Sequence, residues 1–231
     1  RCLFAVSDLG AKFDLALLRS QSKVDLMRDN FAKCCDAIKS AIDFVIRDCW
    51  CQSSDVIGGN AAIIPFVYYL FHQKKHQMPN SQIDAARKAF YLSGFTKTFS
   101  RYGDSRLGRF LRREMKPRIQ GGDMTFPFPR LISWISYWEH IHSYGPELLQ
   151  RNPTLALHVL QKHSGATVQY SNNSPEIDHI FPRSILREKD IDHAKIEHFA
   201  NLWILAKGKN ANKSNTHPAE YFKDVPAIEL K

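Results

Sequence analysis

The chain has no apolar run long enough to cross a membrane. Its nearest candidate, AAIIPFVYYLF from Ala61 to Phe71, falls well short of the roughly 18 residues a spanning helix needs, and it reads as a buried helix. A signal-peptide pattern is missing too. The first residue is Arg1 rather than Met, so sequence upstream of it is expected. Cysteine is scarce and poorly arranged for cross-linking. Cys2, Cys34, Cys35, Cys49 and Cys51 make an odd count with one adjacent pair and no CxxC. That argues against a secreted disulfide framework, and a cytoplasmic protein is the expectation. Cys49-Trp50-Cys51 has no second pair to complete a zinc site, so none is expected. Cys34 and Cys35 fall on the apolar side of a helix, where cysteine acts as a small hydrophobe. Internal repeats and low-complexity tracts are absent as well.

What the chain does have is an uneven charge. At 231 residues it can bury a proper core, as one large or two small domains. Its formal charge is +9, and residues 74–118 hold twelve basic and three acidic residues, enough to account for the whole excess. Such a local excess suggests a footprint for a polyanion. The plainer alternative is a solvated helical face. Tyr91, Phe95, Phe99, Tyr102 and Phe110 lie in the same segment, so part of it must pack.

Most of the chain reads as helix. Val24, Met27, Phe31, Cys34, Ile38, Ala41 and Val45 recur at steps of three and four, which puts them on one helix face, with Ser22 as the N-cap. Gly58-Gly59 then breaks the chain, and Asn60 can cap the apolar helix, whose early Pro65 is tolerated. Ser81 opens a helix carrying Ile83, Ala86, Phe90 and Phe95. Ser105–Lys116 continues as helix. QGGDMTFPFPR, residues 120–130, is dense in Gly and Pro and reads as a linker or extended crossing. A helix over LISWISYWEHIHSY and a short one near Pro146–His163 follow. The histidines of this region form no convincing ligand set; His140 and His142, two apart, point to different helix faces.

The texture changes after Gly165. ATVQY is β-prone and SNNSP is a turn. EIDHIF alternates apolar with polar as a half-exposed strand does. A polar connection with helical potential leads to a second strand, NLWILAKG. KNANKSNTHPAEYF then becomes helical, with Pro218 able to start a further turn. The order is strand, connection, strand, helix. The expected fold is mainly α with a small α+β unit: a helical module over 1–165 and a C-terminal domain over 166–231.

That C-terminal order resembles the HNH, or ββα-metal, nucleases. The residues that carry the resemblance are Asp178-His179-Ile180-Phe181-Pro182, Asn201-Leu202, and Asn210-Ala211-Asn212-Lys213-Ser214. The spacing is similar to that of the HNH domains of CRISPR effector nucleases, and the final motif residue is Asn rather than His. The CxxC pairs of the zinc-stabilised branch are absent. The resemblance implies a divalent cation, Mg²⁺ first and Mn²⁺ second, held by oxygen from Asp178 and Asn210. His179, with a pKa ordinarily about 6.5, would draw the proton from the attacking water. Adjacent residues of a regular strand point to opposite faces, so the Asp178-His179 pair must end the strand or sit in an irregular loop. Pro182, lacking an N–H, is consistent with the strand stopping there. Asn201 is implied to tie the loop back and hold His179. Glu176 is a partner behind the metal or an alternative ligand, and Asn212 and Asn215 compete with Asn210. His193, His198 and His217 read as surface or supporting residues. Arg183, Lys209 and Lys213 are candidates to hold phosphates. Arg109, Arg112, Arg113 and Lys116 of the basic segment would grip the DNA backbone with little sequence preference.

The helical module with its HNH tail is also similar to the C-terminal half of modification-dependent (type IV) restriction proteins of the GmrSD kind, chiefly over residues 175–223. These join a nucleotide-hydrolysing N-terminal domain to a helical region and an HNH-like nuclease. The chain contains no Gly-rich phosphate loop and no ParB-like motif, so the resemblance implies a missing upstream partner domain that senses modified DNA. The expected activity is metal-dependent nicking of DNA to 5′-phosphate and 3′-hydroxyl ends. Two rivals fit the same residues: a DNA-binding or assembly module with a degenerate HNH core, and an RNA nuclease.

Overall fold

A computed structural model describes residues 1–51, 56, 59–100, 103–142, 145–163, 176–205, 213 and 215–223. Among the described residues the chain is mostly helical with one two-stranded antiparallel sheet, in keeping with a mainly α chain that carries a small β unit. It divides into two units, Arg1–Cys51 with Ile57–Ser143, and Gln52–Val56 with Tyr144–Lys231.

The first unit contains α1 (Cys2–Val6), α2 (Gln21–Arg47), α3 (Ile64–Phe71), α4 (Ile83–Thr96), α5 (Gly103–Phe110), a π-helical turn over Leu111–Met115, α6 (Lys116–Gln120) and α7 (Phe128–Glu139). Helix α3 is apolar all round, and Ile64 through Leu70 are all buried, as expected of a helix enclosed by others. Pro65 lies in its first turn, where a missing N–H costs nothing. The ring of Phe66 stacks on Phe126 at 4.9 Å and meets Phe44 and Phe90 at 5.5 and 5.8 Å.

Three local expectations shift here. On α2, Met27, Cys34, Ala41 and Val45 are buried, but Phe31 is 58% exposed and Ala37 and Phe44 are buried in its stead. Ser20, not Ser22, precedes α2, and Asn60 opens a 3-10 turn (Asn60–Ile63) rather than capping α3. The Gly/Pro-rich stretch after Gln120 is an extended crossing that packs inside the unit. Tyr69 Oη donates to Met124 O (2.8 Å), and Phe126 N donates to Gln82 Oε1 (3.0 Å).

The second unit contains α8 (Pro146–Gln150), α9 (Pro153–His163), β1 (Glu176–His179), α10 (Arg183–Glu188), α11 (His193–Ile196), β2 (Leu202–Leu205) and α12 (Pro218–Tyr221). Asn152 separates α8 from α9 and accepts the Leu155 N–H at 3.3 Å, a side-chain cap with Pro153 just after it. The strands pair Glu176 with Leu205, Ile177 with Ile204, Asp178 with Trp203 and His179 with Leu202. Leu202 and Ile204 share a face and join Leu157 of α9 in a small core, with Ile177 beside it. Trp203 points the other way, against the rings of Tyr221 and Phe222 at 5.6 and 5.0 Å. Helix α9 thus packs with the strands, and both belong to the second unit. A helical stripe reveals that a helix is buried, not which distant strand covers it. ATVQY and SNNSP lie outside the described residues.

Candidate active site

Strand β1 stops at His179. Ile180 N donates to Asn201 O at 2.7 Å, the last rung, and Pro182 then leads into α10. The Asp178-His179 pair therefore closes the strand, and each member has its own partners.

Asp178 Oδ2 accepts from Lys213 Nζ at 2.6 Å, and the same ammonium donates to the His179 carbonyl. Lys213, expected among the phosphate contacts, is instead turned inward with its side chain 1% exposed. A buried ammonium requires a counter-charge and acceptors, and the end of β1 supplies a carboxylate and a carbonyl together.

His179 faces a different set. Its side chain is 12% exposed, and Nε2 accepts from Arg183 Nε at 3.3 Å. A guanidinium can only donate, so this contact suits a ring with a lone pair on Nε2. Glu197 Oε2 is 3.4 Å from the same nitrogen, and Arg183 pairs with both Glu197 oxygens at 2.8 and 2.9 Å. Burial holds the His179 pKa below its ordinary value, and the Arg183 charge adds to this, while Glu197 and Asp178 pull the other way. Arg183, chiefly through its hydrogen bond, keeps Glu197 below the usual carboxylate range.

Asn201 holds the loop after β1 from both sides. Its Oδ1 accepts from Phe181 N at 2.9 Å, and its Nδ2 donates to Ile196 O at 3.0 Å and Phe181 O at 3.3 Å. Gln150 of α8 steadies the turn that carries Glu197. Its Nε2 donates to Glu197 O (2.9 Å) and its Oε1 accepts from Phe199 N (2.8 Å). An open groove of about 470 Å³ lies beside this clamp, lined by Phe181, Lys195, His198 and Asn201 among others.

Neither Glu197 nor Gln150 was expected from the sequence. Glu197 sits in a polar connection with no motif to mark it; the usable signal was that a histidine base pairs with an acid, and Glu188, Asp190, Asp192 and Glu197 all lie close behind. Other expected residues are dispersed. Glu176 begins β1, at the end away from His179. Lys209, Asn210 and Asn212 lie outside the described residues. His198 and His217 cap short helical turns, their Nδ1 atoms accepting from Ala200 N and Ala219 N. In the first unit Arg112 and Arg113 are exposed, Arg109 lies over Trp138, and Lys116 pairs with Asp8 at 3.1 Å. Part of the basic excess is thus matched by acids from outside the segment: Asp8, Asp123 with Arg118, and Glu139 with Arg106.

Among the described residues no group of three or more His, Cys, Asp and Glu side chains forms a metal cage. Asp178 is the hard oxygen donor a divalent cation takes, but a cation there would share the carboxylate with the Lys213 ammonium. Compared with known proteins, the chain matches no family profile, and no curated protein matches it either.

Proposed function

We propose that the second unit is a phosphodiester-cleaving nuclease of the ββα-metal type that nicks DNA and leaves 5′-phosphate and 3′-hydroxyl ends. The observation that carries the reading is the His179 imidazole at the end of β1, its pKa held down by burial, with Asp178 beside it and Arg183 and Glu197 around its Nε2. Hydrolysis needs a water relieved of its proton, and a neutral imidazole in a partly dry setting is a suitable base. An incoming phosphate competes with Glu197 for the Arg183 guanidinium, whose planar donors match phosphate oxygens. That frees Nε2 to take the proton. Glu197, already within 3.4 Å, then balances the imidazolium. Asn201 keeps the His179 loop from drifting during this exchange. A divalent cation, Mg²⁺ above Mn²⁺, would neutralise charge on the phosphate when bound; the resemblance assigns it to Asp178 and Asn210.

In this reading the chain is the effector half of a modification-dependent restriction protein, and an upstream nucleotide-hydrolysing domain senses the DNA. One observation favours a second reading. The Lys213 ammonium already neutralises Asp178, which suits a degenerate core that binds DNA without cutting it. An RNA substrate is the remaining alternative.

The test is a supercoiled-plasmid assay with Mg²⁺, Mn²⁺ or EDTA, run beside His179→Ala and a structured RNA. Open circles that need metal and vanish in the variant, with DNA binding retained, are the expected result. Unchanged cleavage by His179→Ala would remove it as the base. Binding without cleavage under every metal supports the degenerate core, and preferential loss of the RNA supports the third reading.

A further inference from the structure

The first unit carries a groove that the cleavage reading does not use. It is lined by Trp134, Tyr137 and Trp138 of α7, by Arg109, Arg113 and Arg130, and by one acid, Glu114. The volume is about 290 Å³, just below the roughly 300–1,000 Å³ typical of ligand pockets. Tyr137 is 70% exposed, and its ring stands edge-on to Trp138 at 5.1 Å and 88°. Two arginines cover Trp138. Arg109 and Arg106 lie over it at 5.1 and 5.3 Å, and Arg106 is in turn fixed by its ion pair with Glu139. Glu114 offers Arg130 a distant ion pair at 4.0 Å. Arg109 and Arg113 have no ion pair among the described residues, so three arginines against one glutamate leave the lining positively charged. Arg113 also sits in the π-helical turn Leu111–Met115, a rare conformation that concentrates at functional positions.

We propose that this groove binds one unpaired nucleotide of a nucleic-acid strand, with the base stacked on Tyr137 and the flanking phosphates on Arg109, Arg113 and Arg130. Arginines alone would suit any polyanion; the exposed ring beside them adds a face on which a flat base can stack. Bases inside a duplex are already stacked on each other, so the nucleotide must be single-stranded or turned out of its helix. The proposal rests on the reading that this chain acts on nucleic acid, but not on His179 or on cleavage.

The measurement is binding of the full chain to three labelled probes by fluorescence anisotropy: a short single strand, the same sequence as duplex, and a strand of equal length without bases. Wild type should bind the base-bearing strand best. Tyr137→Ala should weaken that complex about tenfold or more and leave the other two nearly unchanged, while Tyr137→Phe restores it. Arg113→Ala and Arg130→Ala should weaken all three and each lower the salt slope by about 0.7 on single strands. Equal binding of base-bearing and base-free strands, or full binding by Tyr137→Ala, would overturn the groove. His179→Ala should bind the single strand as wild type does. Its failure to nick alongside intact Tyr137-dependent binding supports the groove and separates it from the fate of the cleavage reading.

Discussion

The two units are held together by different means. In the first, Phe44, Phe66, Phe90 and Phe126 meet ring to ring, and α3 is enclosed on every side. In the second, Leu157, Leu202 and Ile204 form a small apolar cluster, with Leu155 and Ile196 also buried, and polar ties surround the strand end: Lys213 on Asp178, Asn201 on Phe181 and Ile196, Gln150 on Glu197 and Phe199. Apolar burial is large but non-directional. Hydrogen bonds contribute only about 1 kcal/mol each, yet they fix distance and angle. The candidate chemistry therefore sits where directional ties, more than ring packing, fix the described side chains.

The contrast can be broken most forcefully at Phe66. Phe66→Ala should cost about 3–5 kcal/mol in denaturant unfolding, because the transfer loss and the cavity add. Hydrogen exchange should rise first in α2, α3 and α4, and an equal rise across β1 and β2 would mean that the units share one cooperative core. Next comes Lys213→Met, which leaves the Asp178 carboxylate without its ammonium. A cost of about 3 kcal/mol is expected, seen as lost amide protection in β1 and β2. The double change with Asp178→Leu should recover most of it, and a neutral single variant would mean that the polar ties carry little. Smallest is Asn201→Ala. Phe181 is 42% exposed, so water replaces part of the lost bonding and about 1–2 kcal/mol is expected. Nicking should fall much further than stability does; a proportional loss would sink the positioning role.

Helix stripes were legible in the sequence because burial repeats with the helix period. Phe31 shows the limit: it fits the period, but the buried face is rotated toward Ala37 and Phe44, and only the neighbours decide that rotation. The end of β1 could be read from Pro182 together with the adjacent Asp178 and His179. Lys213 could not, since lysine is exposed nearly everywhere unless a carboxylate waits for it. The same holds for Glu197 and Gln150, whose roles arise from a turn brought together by parts distant in sequence. The pairing of α9 with strands that follow a long connection was illegible for the same reason.

The Lys213–Asp178 contact has a consequence for the order in which the chain is made. Its two ends are 35 positions apart. On a ribosome Asp178 and His179 emerge well before Lys213, and β2, the partner of β1, also comes late. The strand end that bears His179 therefore has no ladder until β2 has cleared the exit tunnel, and Asp178 does not meet its ammonium until residue 213 has. A nascent chain that ends between residues 206 and 212 carries the Asp-His pair, its ladder and Glu197, but not the ammonium that Lys213 brings to Asp178.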